Sequence, residues 1–156
     1  MNEFKRIRNS MGLSQIEAAK LLNVSRRTYQ NYENSDSSDS LKYRYALSMF
    51  KELTKIDENH GILPKSRIIE IVKEVFEKYD IKSGYLFGSY AKDKATESSD
   101  IDLAIDSDIT GLDYFGLVEE LRENLHKTID LLTFKSIENN PTMLLEILRD
   151  GVKIYG

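Results

Sequence analysis

The stretch that decides the fold of this chain is residues 85–102, which read YLFGSYAKDKATESSDID. An apolar run leads into Gly88-Ser89, and ten residues separate Ser89 from Asp100. From Asp100 to Asp106 the apolar residues Ile101, Leu103 and Ile105 alternate with the others, so the segment predicts a strand, a turn with a short helix, and a second strand that begins at Asp100. Because residues i and i+2 point to the same face of a strand, we expect Asp100 and Asp102 to converge.

Two carboxylates on one strand face repel each other unless a cation lies between them, so the segment predicts a magnesium–nucleotide site. Magnesium takes carboxylate oxygens together with nucleotide phosphates, and two such ions can bridge the attacking and leaving oxygens of a displacement. Gly88 lets the backbone approach phosphates. Ser89 offers a hydroxyl at the start of a short helix, and Lys92 and Lys94 could balance triphosphate charge.

Asp130 is the best candidate for a third metal ligand. It lies at the start of a predicted strand over Ile129 to Phe134, among apolar residues, where a charge needs a partner. Two alternatives remain open from the residues alone. Asp130 could cap a turn after the preceding helix, and Asp106 is a rival on the same strand face as Asp102.

Outward from this stretch, the pattern predicts an α+β module. The apolar spacing after Pro64 indicates a helix, because proline suits a first turn. Further helices are predicted over Leu112 to His126 and Pro141 to Arg149, and further strands over Ser83 to Phe87 and, at an edge, Val152 to Tyr155.

The N-terminal part has helical periodicity throughout and predicts an all-α domain. Ser14 and Glu17 form a capping-box pattern, and a break at Asn23-Val24 precedes a helix capped by Ser25, which suggests a helix-turn-helix. Residues on the exposed side of that third helix could bind phosphates and base edges: Ser25, Arg26, Arg27, Gln30 and Asn31. A solvated polar helix in a small bundle is the alternative.

Charge and composition divide the chain in two. Residues 1–60 carry a net charge of +2 and residues 61–156 one of −6. We therefore expect a helix-turn-helix domain over 1–58, a linker over 59–63 and a catalytic domain over 64–156. The chain has no cysteine, no apolar leader at its N-terminus and no apolar run of spanning length, so we expect a cytoplasmic protein with no membrane partner.

Residues 3–55 resemble the Cro/repressor (xenobiotic-response-element) helix-turn-helix family. The likeness rests on residues in both halves of the motif: Arg8, Leu13-Ser14-Gln15, Ala19, Leu22, Val24-Ser25, Thr28-Tyr29 and Tyr32-Glu33. It implies that Gln15 and the start of the third helix face DNA, that Ala19 packs against that helix, and that Glu33 pairs with Arg8. It also implies a homodimer on a palindromic operator. The Ser/Asp-rich loop over 34–40 departs from the family pattern.

Residues 64–156 resemble a minimal nucleotidyltransferase of the DNA polymerase β superfamily, with its Gly-Ser-x10-Asp-x-Asp signature. The resemblance implies a short mixed sheet backed by helices. It places Ser89 on the triphosphate of ATP and two magnesium ions on Asp100 and Asp102, with Asp130 completing the catalytic triad. Lys92 departs from the arginine of many relatives and is a point charge rather than a fork.

Stand-alone proteins of this kind are often antitoxins paired with HEPN-domain ribonuclease toxins, and some transfer AMP from ATP onto a toxin tyrosine. The resemblance thus implies a hetero-oligomer with a toxin, and a helix-turn-helix that binds the operator of its own operon. Two alternatives stay open. One is a non-catalytic repressor that binds nucleotide or toxin as a ligand, and the other is a small-molecule nucleotidyltransferase of the aminoglycoside type.

Overall fold

The structure is a computed structural model that describes residues 2–35 and 40–156. It forms two compact units, residues 1–55 and 56–156. The expected linker over 59–63 belongs to the second unit, because the backbones of Asp57 and His60 pair with each other and Leu63 is buried in that unit's core. Of the Ser/Asp-rich loop predicted over 34–40, residues 36–39 lie outside the described part.

The first unit is all-α, as its periodicity predicts. The capping box between Ser14 and Glu17 is present, and the Ser25 side chain accepts a hydrogen bond from the Thr28 amide. Asn23 has a φ of 54°, in the left-handed region that turns the chain between the second and third helices. The helices are α1 (Glu3–Ser10), α2 (Gln15–Leu21), α3 (Arg26–Asn34) and α4 (Leu41–Leu53).

Phe4 is the centre of the first unit's core. Its ring is fully buried and lies 5.1–5.9 Å from four aromatic rings on α3 and α4, distances at which aromatic pairs attract. The four partners are Tyr29, Tyr32, Tyr43 and Phe50. Ala18 and Ala19 of α2 belong to the same cluster, so α2 and α3 pack against one common core.

The second unit is α+β and follows the predicted elements closely. Strands β1 and β4 have the predicted bounds, and the other elements differ by one residue or a few at an end. The elements are α5 (Lys65–Phe76), β1 (Ser83–Phe87), α6 (Gly88–Ala91), β2 (Ile101–Asp106), α7 (Gly111–Leu125), β3 (Ile129–Thr133), α8 (Pro141–Asp150) and β4 (Val152–Tyr155).

The four strands form one mixed sheet in the order β3-β2-β1-β4. Strand β1 is antiparallel to both β2 and β4, whereas β2 and β3 are parallel and are joined through α7. The order confirms the prediction that β4 is an edge strand. It makes β3 the opposite edge, which leaves one side of that strand unpaired by the sheet.

The two faces of the sheet bury different sets of residues. Leu86, Leu103 and Leu131 point into a large core with α5 and α7. Their neighbours Phe87 and Ala104 point the other way, into a smaller core with α8. Within the two described ranges no helix is long and apolar enough to cross a membrane.

Candidate active site and nucleic-acid interface

Two of the three predicted carboxylates are placed by strand register. Asp102 on β2 is the direct partner of Asp130 on parallel β3 and of Phe87 on antiparallel β1. By the alternation of side chains, Asp102 and Asp130 lie on the face that α8 covers. Asp100 is not a strand residue, since β2 begins at Ile101. Its position therefore depends on the loop before the strand.

Gly88 packs directly against the Asp102 carboxylate. Its φ is +68°, and a Cβ added to it would lie 2.1 Å from Oδ2 of Asp102. Only glycine combines that backbone conformation with so close an approach. The turn after β1 therefore requires glycine at position 88, because the Asp102 carboxylate on β2 occupies the space that a Cβ would take.

The carboxylates of the site repel one another. Burial raises the pKa of Asp102 to about 6, and repulsion from Asp130, Asp100 and Glu146 adds to the effect. In the described part of the chain no three His, Asp or Glu side chains already stand close enough to hold a metal ion. The hard oxygen donors fit magnesium, but their mutual repulsion opposes convergence.

Two predicted details of the site differ in the structure. Asp130 is exposed rather than embedded in apolar residues, because β3 is an edge strand. The Lys92 ammonium contacts α8 instead of lying free for phosphate: Nζ is 3.1 Å from Oε1 of Glu146 and 3.8 Å from Oδ2 of Asp150. Tyr90, beside Ser89, is buried in the larger core.

The turn at Gly88-Ser89, where we expect phosphates to bind, is short, and hydrogen bonds from residues outside it hold it in place. Ser89 is half-buried in α6 and its carbonyl accepts a hydrogen bond from the amide of exposed Lys94 at 2.9 Å. Lys65 Nζ donates to the carbonyl of Ala91 at 3.0 Å and pairs with Asp93 at 3.0 Å. The C-terminal end of α6 is thus tied to Lys65, the first residue of α5.

Glu146 is the site residue that sequence reasoning missed. It lies on α8, contacts Lys92 and contributes to the raised pKa of Asp102. Its neighbours read Leu-Leu-Glu-Ile, an ordinary amphipathic pattern. No local signal could have identified it, because the sheet contact of α8 brings it to the site.

In the first unit, a chain of hydrogen bonds joins the predicted DNA-facing residues to the core. Arg8 Nε donates to Glu33 at 2.5 Å, which confirms the expected pair, and Gln15 Nε2 donates to the other Glu33 oxygen at 3.0 Å. Gln30 Nε2 then donates to Oε1 of Gln15 at 3.0 Å. Burial raises the pKa of Glu33, but the hydrogen bonds from Arg8 and Gln15 outweigh it and the pKa lies below its usual value.

The remaining predicted DNA contacts lie on or beside the start of α3. Ser25 is exposed, and its side chain caps α3 by accepting a hydrogen bond from the Thr28 amide. Arg26, Arg27 and Asn31 are exposed on the helix. The structure thus has two amides held by hydrogen bonds, Gln15 and Gln30, beside two solvent-facing arginines, Arg26 and Arg27.

Comparison with known families agrees with both units. The family described as polymerase beta, nucleotidyltransferase, matches residues 70–156. The family described as helix-turn-helix matches residues 4–42. Each match falls within one of the two compact units.

Curated relatives match the second unit. One from Methanocaldococcus jannaschii, named as a candidate protein adenylyltransferase, is 40% identical over 82 residues, which span 47% of this chain and 82% of the relative. Another of that name and organism is 36% identical, over 58% of this chain and 92% of the relative. A crystal structure of a toxin–antitoxin with AMP-PNP shares the fold, with a TM-score of 0.51 at 21% identity over 56% of this chain and 73% of that one.

Proposed function

Because this chain belongs to the polymerase β nucleotidyltransferase family and carries an N-terminal helix-turn-helix domain, we propose that it is the antitoxin of a toxin–antitoxin pair. It transfers AMP from ATP to a hydroxyl, a tyrosine in our proposal, of a HEPN-domain toxin, and it represses its own operon. The names of its relatives support adenylyl transfer to protein. The shared fold with a toxin–antitoxin structure supports the context.

The observation that carries the enzymatic part is the contact between Gly88 and Asp102, with Asp130 in register beside it. It puts the backbone of Gly88, which has no side chain, within van der Waals reach of the Asp102 carboxylate. A triphosphate that lies on the turn would bring further negative charge beside Asp102 and Asp130. A cation between the phosphates and the carboxylates would offset that charge and the repulsion that, after burial, raises the pKa of Asp102.

In the proposed reaction an acceptor hydroxyl attacks the α-phosphorus of ATP. The new P–O bond forms as the bond to the β-phosphate oxygen breaks, pyrophosphate leaves, and the hydroxyl proton passes to Asp130 or to solvent. Magnesium on Asp100, Asp102 and Asp130 would supply charge neutralisation. The chain itself contributes positioning: Gly88 and Ser89 hold the phosphates and Asp130 orients the acceptor.

Incubation with labelled ATP, magnesium and the product of the neighbouring gene tests this proposal. We expect label on that protein, and loss of the label in Asp100→Ala/Asp102→Ala. Asp106→Ala is the matched control, because Asp106 is an exposed aspartate at the far end of the same strand. A stable complex without label would favour the non-catalytic ligand alternative, and label on an aminoglycoside alone would favour the small-molecule one.

The DNA-binding part of the proposal rests on the hydrogen-bonded path from Arg8 through Glu33 to Gln15 and Gln30. The path holds two amide side chains on neighbouring helices before DNA arrives, so little side-chain entropy remains to be lost on binding. Two copies of the domain would read a palindromic operator.

Binding to the upstream DNA of the operon, followed at several salt concentrations, tests that part. Arg26→Ala/Arg27→Ala should weaken binding and flatten its dependence on salt, because each lost phosphate contact removes about one unit from the slope. Lys42→Ala/Arg44→Ala, which removes the same charge from exposed positions of α4, is the control. Equal effects of the two pairs would show that α3 is not the reading helix.

A further inference from the structure

The carboxylates of the proposed metal site are held in different ways. Asp102 and Asp130 are fixed by the ladder between β2 and β3. Asp100 lies one residue before β2 and is carried by the loop that precedes it. Its distance from the other two is therefore set by whatever anchors that loop.

The loop ends in a tight turn over 96–99. The Ser99 amide donates to the carbonyl of Thr96 at 3.1 Å, and the Thr96 amide donates to Oγ of Ser99 at 2.7 Å. These bonds fix the shape of the turn but not its place relative to the sheet. That place depends on contacts between the turn and other parts of the unit.

Lys127 makes that connection. It lies in the segment between α7 and β3, three residues before Asp130, and is 0% exposed. Its Nζ donates to the carbonyl of Glu97 at 2.6 Å and to the carbonyl of His60 at 3.2 Å. The Glu97 carboxylate in turn accepts a hydrogen bond from the Gly61 amide at 3.1 Å.

Burying an ammonium group costs free energy unless donors and acceptors are matched. Burial lowers the pKa of Lys127, an effect that the Asp57 and Glu97 carboxylates oppose, and the amino group is matched by the backbone carbonyls of Glu97 and His60. A methionine of similar length would fill the space and leave the two carbonyls without their donor. The lysine therefore contributes a fixed link between the start of β3 and the turn before β2, which packing alone does not supply.

We propose that Lys127 is a positioning residue, which acts through the turn over 96–99 to set Asp100 relative to Asp102 and Asp130. This inference rests on the proposed function, since it assigns a role within the same metal site. It predicts a defect in binding of divalent cation rather than in folding of the sheet. Outer contacts of metal ligands are typically worth about 10–100-fold in metal affinity.

The chain has no cysteine, which allows a chemical test in the full-length protein. Lys127→Cys is alkylated under denaturing conditions with bromoethylamine, which rebuilds a lysine-like ammonium, or with 1-iodopropane, which adds a neutral apolar group of the same length and without a hydrogen-bond donor, and is then refolded. Mn²⁺ binding is measured from the EPR signal of the free ion. Amide hydrogen exchange of residues 96–100 reports on the turn.

We expect the neutral form to bind Mn²⁺ about tenfold or more weakly and to exchange faster over 96–100, with α5 unchanged. The ammonium form should recover both. Lys135→Met, at an exposed lysine just after β3, should resemble the wild type. Equal Mn²⁺ binding by the neutral, ammonium and wild-type chains would overturn the positioning role.

The outcomes keep the two proposals apart. A wild-type chain that binds Mn²⁺ yet transfers no AMP refutes the proposed function, and the response of Mn²⁺ binding to Lys127 still decides the positioning role. A chain that transfers AMP with normal Mn²⁺ affinity in the neutral form refutes the positioning role alone. A neutral form that recovers as fully as the ammonium form shows that Lys127 only fills space.

Discussion

The helix-turn-helix unit and the nucleotidyltransferase unit both place charged groups in partly buried sites, but they treat those charges in opposite ways. In the first unit Glu33 is buried with Arg8 and Gln15 as hydrogen-bond partners, and its pKa is lowered. In the second unit burial raises the pKa of Asp102 to about 6, and repulsion from Asp130, Asp100 and Glu146 adds to the effect.

The difference agrees with the functions that we propose for the two units, a DNA-reading surface and a metal site. A reading surface gains affinity when its side chains are held in place before binding, so its buried charge is fully paired. A metal site must be more stable with its cation bound than empty. Neighbouring carboxylates have this property because the cation relieves their repulsion. The first site therefore stabilises the folded protein, whereas the second site lowers its stability as long as no cation is bound.

The largest effect should come from Gly88→Ala. The added methyl meets Oδ2 of Asp102 at 2.1 Å in a backbone conformation with φ of +68°. We expect AMP transfer to fall about 100-fold or more, the scale of displacing a reacting group by ~1 Å. Initial rates with labelled ATP give the measurement.

Gly111→Ala separates the two causes of that loss. Gly111 has a similar φ of +62°, but nothing lies within 4 Å of an added Cβ. It should cost only the strain of a left-handed alanine, about 1–2 kcal/mol, with activity retained. A loss of activity as large as that of Gly88→Ala would show that backbone strain, not the Asp102 contact, is responsible.

Glu33→Ala should have the next largest effect, on the first unit alone. It leaves Arg8, whose side chain is 15% exposed, without its carboxylate partner, and breaking such a pair costs about 3 kcal/mol. Amide hydrogen exchange should accelerate in α1 to α4 and stay unchanged in β1 to β3. Glu52→Ala, at an exposed position of α4, is the control, and equal exchange in the two variants would contradict the network.

Asp102→Asn should act in the opposite direction and stabilise the protein. At pH 7.5 in EDTA we expect a gain on the order of 1 kcal/mol, because a carboxylate with a raised pKa is disfavoured in the folded state. The folded form binds the proton more tightly, so the gain should shrink as pH falls from about 6 towards the ordinary value of 3.8. Calorimetry at several pH values tests the sign, and a gain that grows in acid would refute it.

Asn23→Gly should give the smallest effect. Asn23 adopts a φ of 54° in the turn between α2 and α3, a conformation in which glycine is unstrained but loses more entropy on folding. The two terms should cancel to within about 0.5 kcal/mol, and operator affinity should not change. A large loss of affinity would mean that the asparagine side chain itself contacts DNA.

Secondary structure was largely predictable in both units because its signals are local. The Ser14 and Ser25 caps, the apolar period of α4 and the alternation of β2 all depend on residues a few positions apart. Strand β2 was read one residue too long at its start, where Asp100 continues the alternation but has no ladder partner. The domain boundary was read after residue 58, although the buried side chain of Leu63 and the His60 carbonyl tie that segment to the second unit.

The site was predictable only where its residues are close in sequence. Gly88, Asp100 and Asp102 share one strand-turn-strand segment, and their spacing carries the signal. Glu146 and Lys127 come from α8 and from the turn before β3, and their side chains reach Lys92 and the Glu97 carbonyl only after the sheet has formed. Lys92 was predicted to be available for the triphosphate, because its partners on α8 are more than fifty residues away in the sequence.

The sequence by itself determined the two units, the order of their elements and the residue types at Gly88-Ser89 and on α3. Those features follow from local propensity, periodicity and spacing. The tertiary structure decided most of the neighbours of each charge. The packing of α8 places Glu146 beside Lys92 and strand register places Asp130 beside Asp102, and the free energy of a charge in a folded protein depends on such neighbours rather than on its place along the chain.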